Sequence, residues 1–172
     1  GLLFAAATLA TILRLRAPGM TMLRLPVFCW TMLVTCLMVV MTFPVLIAAM
    51  VMLLADRHGA GIFDSASGPI SFQNLFWFYG HPVVYVWFFP FLGVVAEVVA
   101  VFSGRRLWGY RTLTFALLAF TALSMSVWAH HMFTTGQSAN KYFALTSTLL
   151  LVPAGIEYLG IGATMWRGSI RL

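Results

Sequence analysis

The sequence predicts an all-α protein, a polytopic bundle of transmembrane helices with four full spans and the end of a fifth. Two observations carry this prediction. Hydrophobic residues make up 62% of the 172 residues and charged residues only 8%, so the bilayer must be the solvent for this much apolar surface. The basic residues fall between the apolar runs, as in membrane loops, so the net charge of +6 does not indicate a nucleic-acid partner.

The apolar runs define the expected elements in chain order. The opening stretch, 1–13, is too short to cross a bilayer alone and is followed by Arg14 and Arg16, whereas a signal peptide carries its positive charge before the apolar core. We therefore expect it to be the end of a span in a larger membrane protein. Four further runs each hold the roughly 20 apolar residues that a spanning helix needs. They cover about 26–55, 73–102, 110–135 and 141–166.

The charges of the connections predict the orientation. One set of connections, with the C-terminal tail, carries the basic residues Arg14, Arg16, Arg24, Arg105, Arg106, Arg111, Arg167 and Arg171. The other connections carry only Arg57, beside two acidic residues, and Lys141. Because positive loops stay inside, we expect the C-terminus and the arginine-rich connections to face the cytoplasm of a bacterial or archaeal plasma membrane, or the mitochondrial matrix.

Three of the four histidines lie inside these spans. With this orientation, His81 lies roughly 12 Å below the outer end of its helix, and His130 and His131 lie within about two turns of the outer end of the next. Polar groups in lipid are costly without a function, so three imidazoles at one depth favour a shared site over isolated side chains bonded to carbonyls. Neutral imidazoles suit copper, iron or zinc.

Tyr85 follows His81 by one helical turn and shares its face of the helix. A phenol within reach of a metal-bound imidazole could supply a proton and an electron. On its own, a tyrosine at this position is more often a packing residue.

Four motifs resemble subunit I of the haem–copper oxidases, the catalytic subunit of cytochrome c and quinol oxidases. They are RAPGMT at 16–21, FWFYGHPVVY at 76–85, WAHHMFTTG at 128–136 and MWRGSIRL at 165–172. The resemblance covers the whole chain. It implies that the chain corresponds to the part of the subunit from the end of its fourth helix to the end of its eighth, in a subunit of the twelve-helix type.

The resemblance also implies the chemistry of the site. The three ligands of the copper ion known as CuB would be His81, His130 and His131. Tyr85 would be the catalytic tyrosine, cross-linked to His81, and Trp77 and Trp128 would lie in the aromatic surroundings. The family reduces O2 to water at a high-spin haem facing CuB and couples this reaction to proton pumping. The axial ligands of the high-spin and low-spin haems would lie outside this segment.

Partners follow from the same resemblance. They would be the rest of subunit I, other subunits including a subunit II, cytochrome c or quinol as electron donor, O2 and membrane lipid.

The proton routes depart from the best-studied branch of the family. The glutamate of its HPEVY motif, which ends one route, is replaced here by Val83. A second route of that branch uses a threonine and a lysine, and this chain has Ala154 and Glu157 at the corresponding positions. Where that route has a serine, this chain has Ala96, which is followed by Glu97. HPVVYVW is closer to divergent branches whereas WAHHMFT resembles the main branch, so the subtype stays open.

Two glutamates inside the spans are candidates for a substitute proton path. Glu97 lies in the inner part of its helix, and Glu157 lies deep toward the inner side of the last span. Because intramembrane carboxylates are functional candidates, we interpret the pair as the inner part of a path toward Tyr85. The alternative is that each pairs with a basic group near the inner interface or contacts another subunit.

Three other functions stay open. A nitric oxide reductase, the related enzyme with non-haem iron in place of copper, lacks the cross-linking tyrosine, so Tyr85 favours the oxidase. A non-catalytic membrane subunit would not need all three histidines together with Tyr85. A transporter with a metal at the membrane midplane would not require HPVVY together with WAHHMFT.

Overall fold

The computed structural model describes residues 1–136 and 139–170, whose regular secondary structure is helical throughout, with no strand. The α-helices in chain order are α1 (Leu2–Arg14), α2 (Val27–Ala55), α3 (Gly68–Phe102), α4 (Tyr110–Ser124), α5 (Asn140–Leu149) and α6 (Leu151–Met165). Shorter elements are the 3-10 turns Met22–Arg24 and Trp128–Met132 and the π-helical turn Asp56–Ala60. The predicted all-α class is confirmed.

Three helical stretches are long and apolar enough to cross a membrane. They are Val27–Ala60, Gly68–Phe102 and Asn140–Met165, and the last joins α5 and α6 across a break at Leu150. Pro153 explains this break, because proline has no N–H for the carbonyl of Leu149 and its ring crowds that carbonyl. These stretches fit the predicted transmembrane bundle.

The expected span at 110–135 is not one continuous α-helix. α4 ends at Ser124, and its 15 residues give a length of roughly 22 Å, less than a hydrocarbon core. Hydroxyl groups near its end donate to carbonyls of the preceding turn: Thr121 to Leu117, Ser124 to Thr121 and Ser126 to Leu123. Such bonds compete with the helical ladder and favour a bend or an end. The chain continues into the 3-10 turn that carries His130 and His131.

α3 packs against α2 and α6 and also contacts the Trp128–Met132 turn. Gly93 allows α2 and α3 to approach closely, because a Cβ at this position would lie 2.2 Å from Oγ1 of Thr31. Buried side chains of α2, α3 and α4 form the main core, among them Met38, Phe89 and Leu117. α3 therefore connects the core with the turn that carries two of the histidines.

One end of the bundle gathers the arginine-rich connections. The hydroxyl of Tyr110 donates to the carbonyl of Leu25 at 2.5 Å, which ties the start of α4 to the connection before α2. The Arg105 guanidinium donates to the carbonyl of Trp166, just after α6. The two arginine-rich connections and the end of α6 thus lie together, as the charge pattern predicts. The side of the membrane that this end faces stays a prediction.

Candidate metal centre

The three intramembrane histidines come together at one site. His81 is buried in α3, and His130 and His131 approach it from the 3-10 turn. One ring nitrogen of each lies within 4.8 Å of the other two, and no second cluster of this kind occurs among the described residues. The ring centroid of His81 lies 4.5 Å from that of His130 and 5.5 Å from that of His131. The side chains form a compact set of three nitrogen donors.

The 3-10 turn brings two adjacent histidines to the same site. Neighbouring residues of a 3-10 helix point about 120° apart, so the two side chains leave the backbone in different directions. Their ring centroids are nevertheless 4.4 Å apart, with the planes inclined by 67°. Nδ1 of His81 lies 3.4 Å from Nε2 of His131, so α3 and the turn meet through their imidazoles.

A hydrogen-bond chain orients the ring of His130. Its Nδ1 lies 2.7 Å from Oγ of Ser147, in α5. Ser147 has one hydroxyl proton and donates it to the carbonyl of Phe143, so it accepts from Nδ1–H of His130. This tautomer leaves the lone pair of Nε2 available to a metal, the usual arrangement at histidine ligands that have an outer hydrogen-bond partner.

Both tryptophans expected around the site contribute to it, Trp77 from α3 and Trp128 from the turn itself. The indole of Trp77 stacks on the imidazole of His131, with ring centroids 4.1 Å apart. Trp128 begins the turn and donates its indole N–H to Oδ1 of Asn74 at 3.3 Å. Since Trp77 and Asn74 belong to α3, both contacts hold the turn against the helix that carries His81.

Tyr85 lies against the histidine cluster. Its ring centroid is 4.7 Å from that of His81, with the planes inclined by 69°. The phenol ring also contacts Phe120 of α4, at 4.9 Å, and Phe89 of α3, at 5.9 Å. These contacts fix Tyr85 between the metal-ligand candidates and the apolar core.

Copper, iron or zinc fits this donor set. Imidazole nitrogens suit all three metals, and three of them leave coordination positions open. Nε2 of His81 is buried and has no hydrogen-bond partner in the described part of the chain, which is unfavourable unless the nitrogen has another partner such as a metal ion. The residues present therefore fit a bound metal.

Comparison with known proteins identifies the family. A family model described as Cytochrome C and Quinol oxidase polypeptide I matches residues 1–172. The chain belongs to this family. Together with its apolar helices, this membership makes it part of an integral membrane protein of the haem–copper oxidase type.

Named relatives of this oxidase family come from several bacteria. The chain is 46% identical over 171 residues to a probable cytochrome c oxidase subunit 1-beta of Nocardia farcinica, covering 98% of this chain and 29% of that protein. It is 49% identical over 164 residues to a putative cytochrome c oxidase subunit 1-beta of Streptomyces coelicolor, covering 94% and 29%. It shows the same identity over 164 residues to cytochrome c oxidase subunit 1 of Corynebacterium efficiens, covering 94% and 28%. The chain thus spans less than a third of the length of these oxidase subunits.

The two glutamates lie away from the histidines of this oxidase segment. Glu97 follows His81 by about 24 Å along the axis of α3, and its Oε1 accepts from the backbone N–H of Phe28 at 3.5 Å. Phe28 belongs to the first turn of α2. Glu157 is only 1% exposed in α6, and neither of its carboxylate oxygens has a hydrogen-bond partner within residues 1–136 and 139–170.

Sequence reasoning did not identify Ser147 and Asn74. Asn74 precedes His81 by about two helical turns and shares its face of α3, so helical spacing could have indicated it. Ser147 lies on another helix, and only the fold brings its hydroxyl to His130.

Proposed function

We propose that this chain is the copper-binding segment of subunit I of a terminal oxidase, which reduces O2 to water and couples the reaction to proton translocation. The observation that carries the proposal is the three-histidine cluster with Tyr85 in ring contact with His81. The names of the relatives support cytochrome c as the electron donor and assembly with other oxidase subunits. The family description leaves quinol as the alternative donor, and we propose a subunit II among the partners.

The site residues have distinct roles in this proposal. Copper would be held by His81, His130 and His131. Ser147 keeps the Nε2 lone pair of His130 directed to the metal, and Trp77 covers the ring of His131. When bound, copper would supply redox chemistry for O2 reduction together with a high-spin haem, whose ligands the family resemblance places outside this chain. Tyr85 is the catalytic residue, and its hydroxyl holds a proton beside the site.

Glu157 and Glu97 form part of the proton supply in this proposal. An ionisable group inside a membrane helix is a functional candidate, and this supports Glu157, whose carboxylate has no hydrogen-bond partner within the described residues. Ala154, nearly one turn before Glu157, packs against the same core cluster as Tyr85, which supports a path along this face of α6. The position of Glu97 near the arginine-rich end supports it as the uptake end of the path. Its bond to the Phe28 amide favours a structural role as well.

The charge asymmetry of the connections supports the orientation of the segment. The arginine-rich end faces the cytoplasm of a bacterial plasma membrane in this proposal. Protons would therefore reach Glu97 from the cytoplasmic side.

Metal analysis of the full-length protein in its complex tests the proposal. His130→Ala should lose the copper of this site and the consumption of O2. His58→Ala provides the matched control, because His58 is the fourth histidine and is exposed in the turn after α2. Iron in place of copper would favour a nitric oxide reductase, and absence of metal would favour a non-catalytic subunit. Either result contradicts the oxidase proposal.

A further inference from the structure

A pocket opens at the arginine-rich end of the bundle, away from the histidine site. Its volume is about 290 Å³, and it is lined by Leu23, Arg24, Leu25, Arg106 and Tyr110. The two arginines come from different connections, one before α2 and one before α4. The pocket therefore exists only because the fold brings these connections together.

Hydrogen bonds fix the walls of this pocket. The Tyr110 hydroxyl donates to the carbonyl of Leu25 at 2.5 Å and accepts from the indole N–H of Trp30 at 3.1 Å. The same indole N–H also lies 3.2 Å from the carbonyl of Met22. These bonds hold the connection that carries Arg24 against the start of α4, close to Arg106.

The guanidinium groups of the pocket differ from those of Arg16 and Arg105, which lie at the same end. Arg16 donates to three carbonyls around the end of α1, and Arg105 donates to the carbonyl of Trp166. Arg24, by contrast, makes a single long bond of 3.3 Å, to the carbonyl of Gly19. Arg106 makes no hydrogen bond or ion pair in the part of the chain that the structure describes.

No carboxylate of the described residues forms an ion pair with these two arginines, although Glu97 lies at the same end of the bundle. The chain contains four acidic residues. Asp56 and Asp64 lie beyond the far end of α2, whose 29 residues span roughly 43 Å. Glu157 is buried in α6, and Glu97 accepts from a backbone amide of α2. A charged pocket of this kind favours an anion from outside the chain.

We propose that Arg24 and Arg106 bind the phosphate group of an anionic phospholipid. Ends of membrane helices lie at the level of lipid headgroups, and basic pockets between such helices bind anionic headgroups. Guanidinium groups match phosphate oxygens through paired hydrogen bonds. Leu23 is 44% exposed and Trp108, near Arg106, is 59% exposed. This apolar surface could contact the acyl chains of a lipid, whereas free phosphate has no apolar part to contact it.

Photo-crosslinking in the full-length, assembled complex tests this site. The complex is placed in phosphatidylcholine nanodiscs containing a trace of phosphatidylglycerol with a photoactivatable headgroup, and the labelled peptides are mapped. Labelling should concentrate in peptides 15–26 and 103–111, and a phosphatidylcholine probe should label them weakly. Arg24→Gln and Arg106→Gln should each reduce the phosphatidylglycerol labelling about fivefold, as expected for loss of one basic residue near a membrane surface.

Charge-preserving variants and a variant pair from the other end provide the controls. Arg24→Lys with Arg106→Lys should retain most of the labelling, and Arg57→Gln with Lys141→Gln should retain all of it. Haem spectra of each variant report whether the complex is intact. Equal labelling by both lipid probes would overturn the proposal. So would full labelling of the glutamine variants, or no labelling because another segment of the full-length chain covers the pocket.

Discussion

The indole of Trp77 lies flat against the imidazole of His131, with ring centroids 4.1 Å apart and planes inclined by 7°. Trp77 belongs to α3, one turn before His81, whereas His131 belongs to the 3-10 turn. The stack thus joins the helix that carries one ligand candidate to the turn that carries the other two. Because stacked rings restrict each other's rotation, the orientation of His131 depends on the space left for the indole.

Gly80→Ala should disturb this stack. The added methyl would lie 2.7 Å from Cε3 of Trp77, so the indole must move and the support of His131 is lost. We expect copper affinity of the full-length complex to fall on the order of tenfold, as for loss of an outer support at a metal site. The copper that each variant retains in the presence of a series of chelators measures this change in affinity. Gly162→Ala is the matched control, because no atom lies within 4 Å of its added Cβ, and equal retention in both variants would disprove the role of Gly80.

Ser147→Ala should weaken copper binding through His130. Without the hydroxyl, Nδ1–H of His130 loses its acceptor and both the tautomer and the ring orientation are less restricted. The expected loss of copper affinity is about 10- to 100-fold, measured with the same chelator series.

Two variants separate this effect from general damage to α5. Ser147→Thr keeps a hydroxyl at the position and should restore most of the affinity. Thr148→Ala removes an exposed hydroxyl that bonds only to the carbonyl of Ala144 in its own helix, and should leave copper unchanged. If Thr148→Ala lost as much copper as Ser147→Ala, the hydrogen bond to His130 would not be the cause.

The helices that match the apolar runs could be predicted because a membrane span requires predominantly apolar side chains along its whole length. The run at 26–55 agrees with α2 at Val27–Ala55, and the run at 141–166 agrees with the stretch Asn140–Met165. Hydropathy reports the surroundings of a side chain, however, and not the hydrogen bonds of the backbone. α4 ends among three hydroxyl groups that bond to carbonyls, and the apolar pattern beyond Ser124 did not reveal this end.

The ligand candidates were predictable for a different reason. Histidine is costly in lipid, so His81, His130 and His131 stand out in the sequence without any structure. The residues that support them are ordinary ones. Ser147 resembles the other hydroxyl residues of α5, and its contact with His130 arises only from the fold.

Glu97→Ala and Glu97→Gln should separate a structural role from a proton-carrying one. The alanine variant removes both the acceptor for the Phe28 amide and the negative charge at the N-terminus of α2, which should lower the free energy of unfolding by about 1 kcal/mol. The glutamine variant keeps an acceptor oxygen and should lose less stability, but it cannot carry a proton. Thermal unfolding and O2 consumption of the full-length complex measure the two effects. Normal turnover in the glutamine variant would leave Glu97 as a helix-capping residue only.

Glu157→Gln should stop proton supply while leaving the metal centre intact. The amide has nearly the shape of the carboxyl group, so the packing of α6 is kept, but it cannot take up and release a proton as the proposed path requires. We expect O2 consumption to fall on the order of 10²-fold with unchanged copper content, whereas Glu157→Asp should retain part of the rate. Tyr158→Phe is the control on the same helix, because Tyr158 is 62% exposed and points away from the core. Full turnover and full proton translocation in Glu157→Gln would exclude Glu157 from the path, and a simultaneous loss of copper would show that its role is structural.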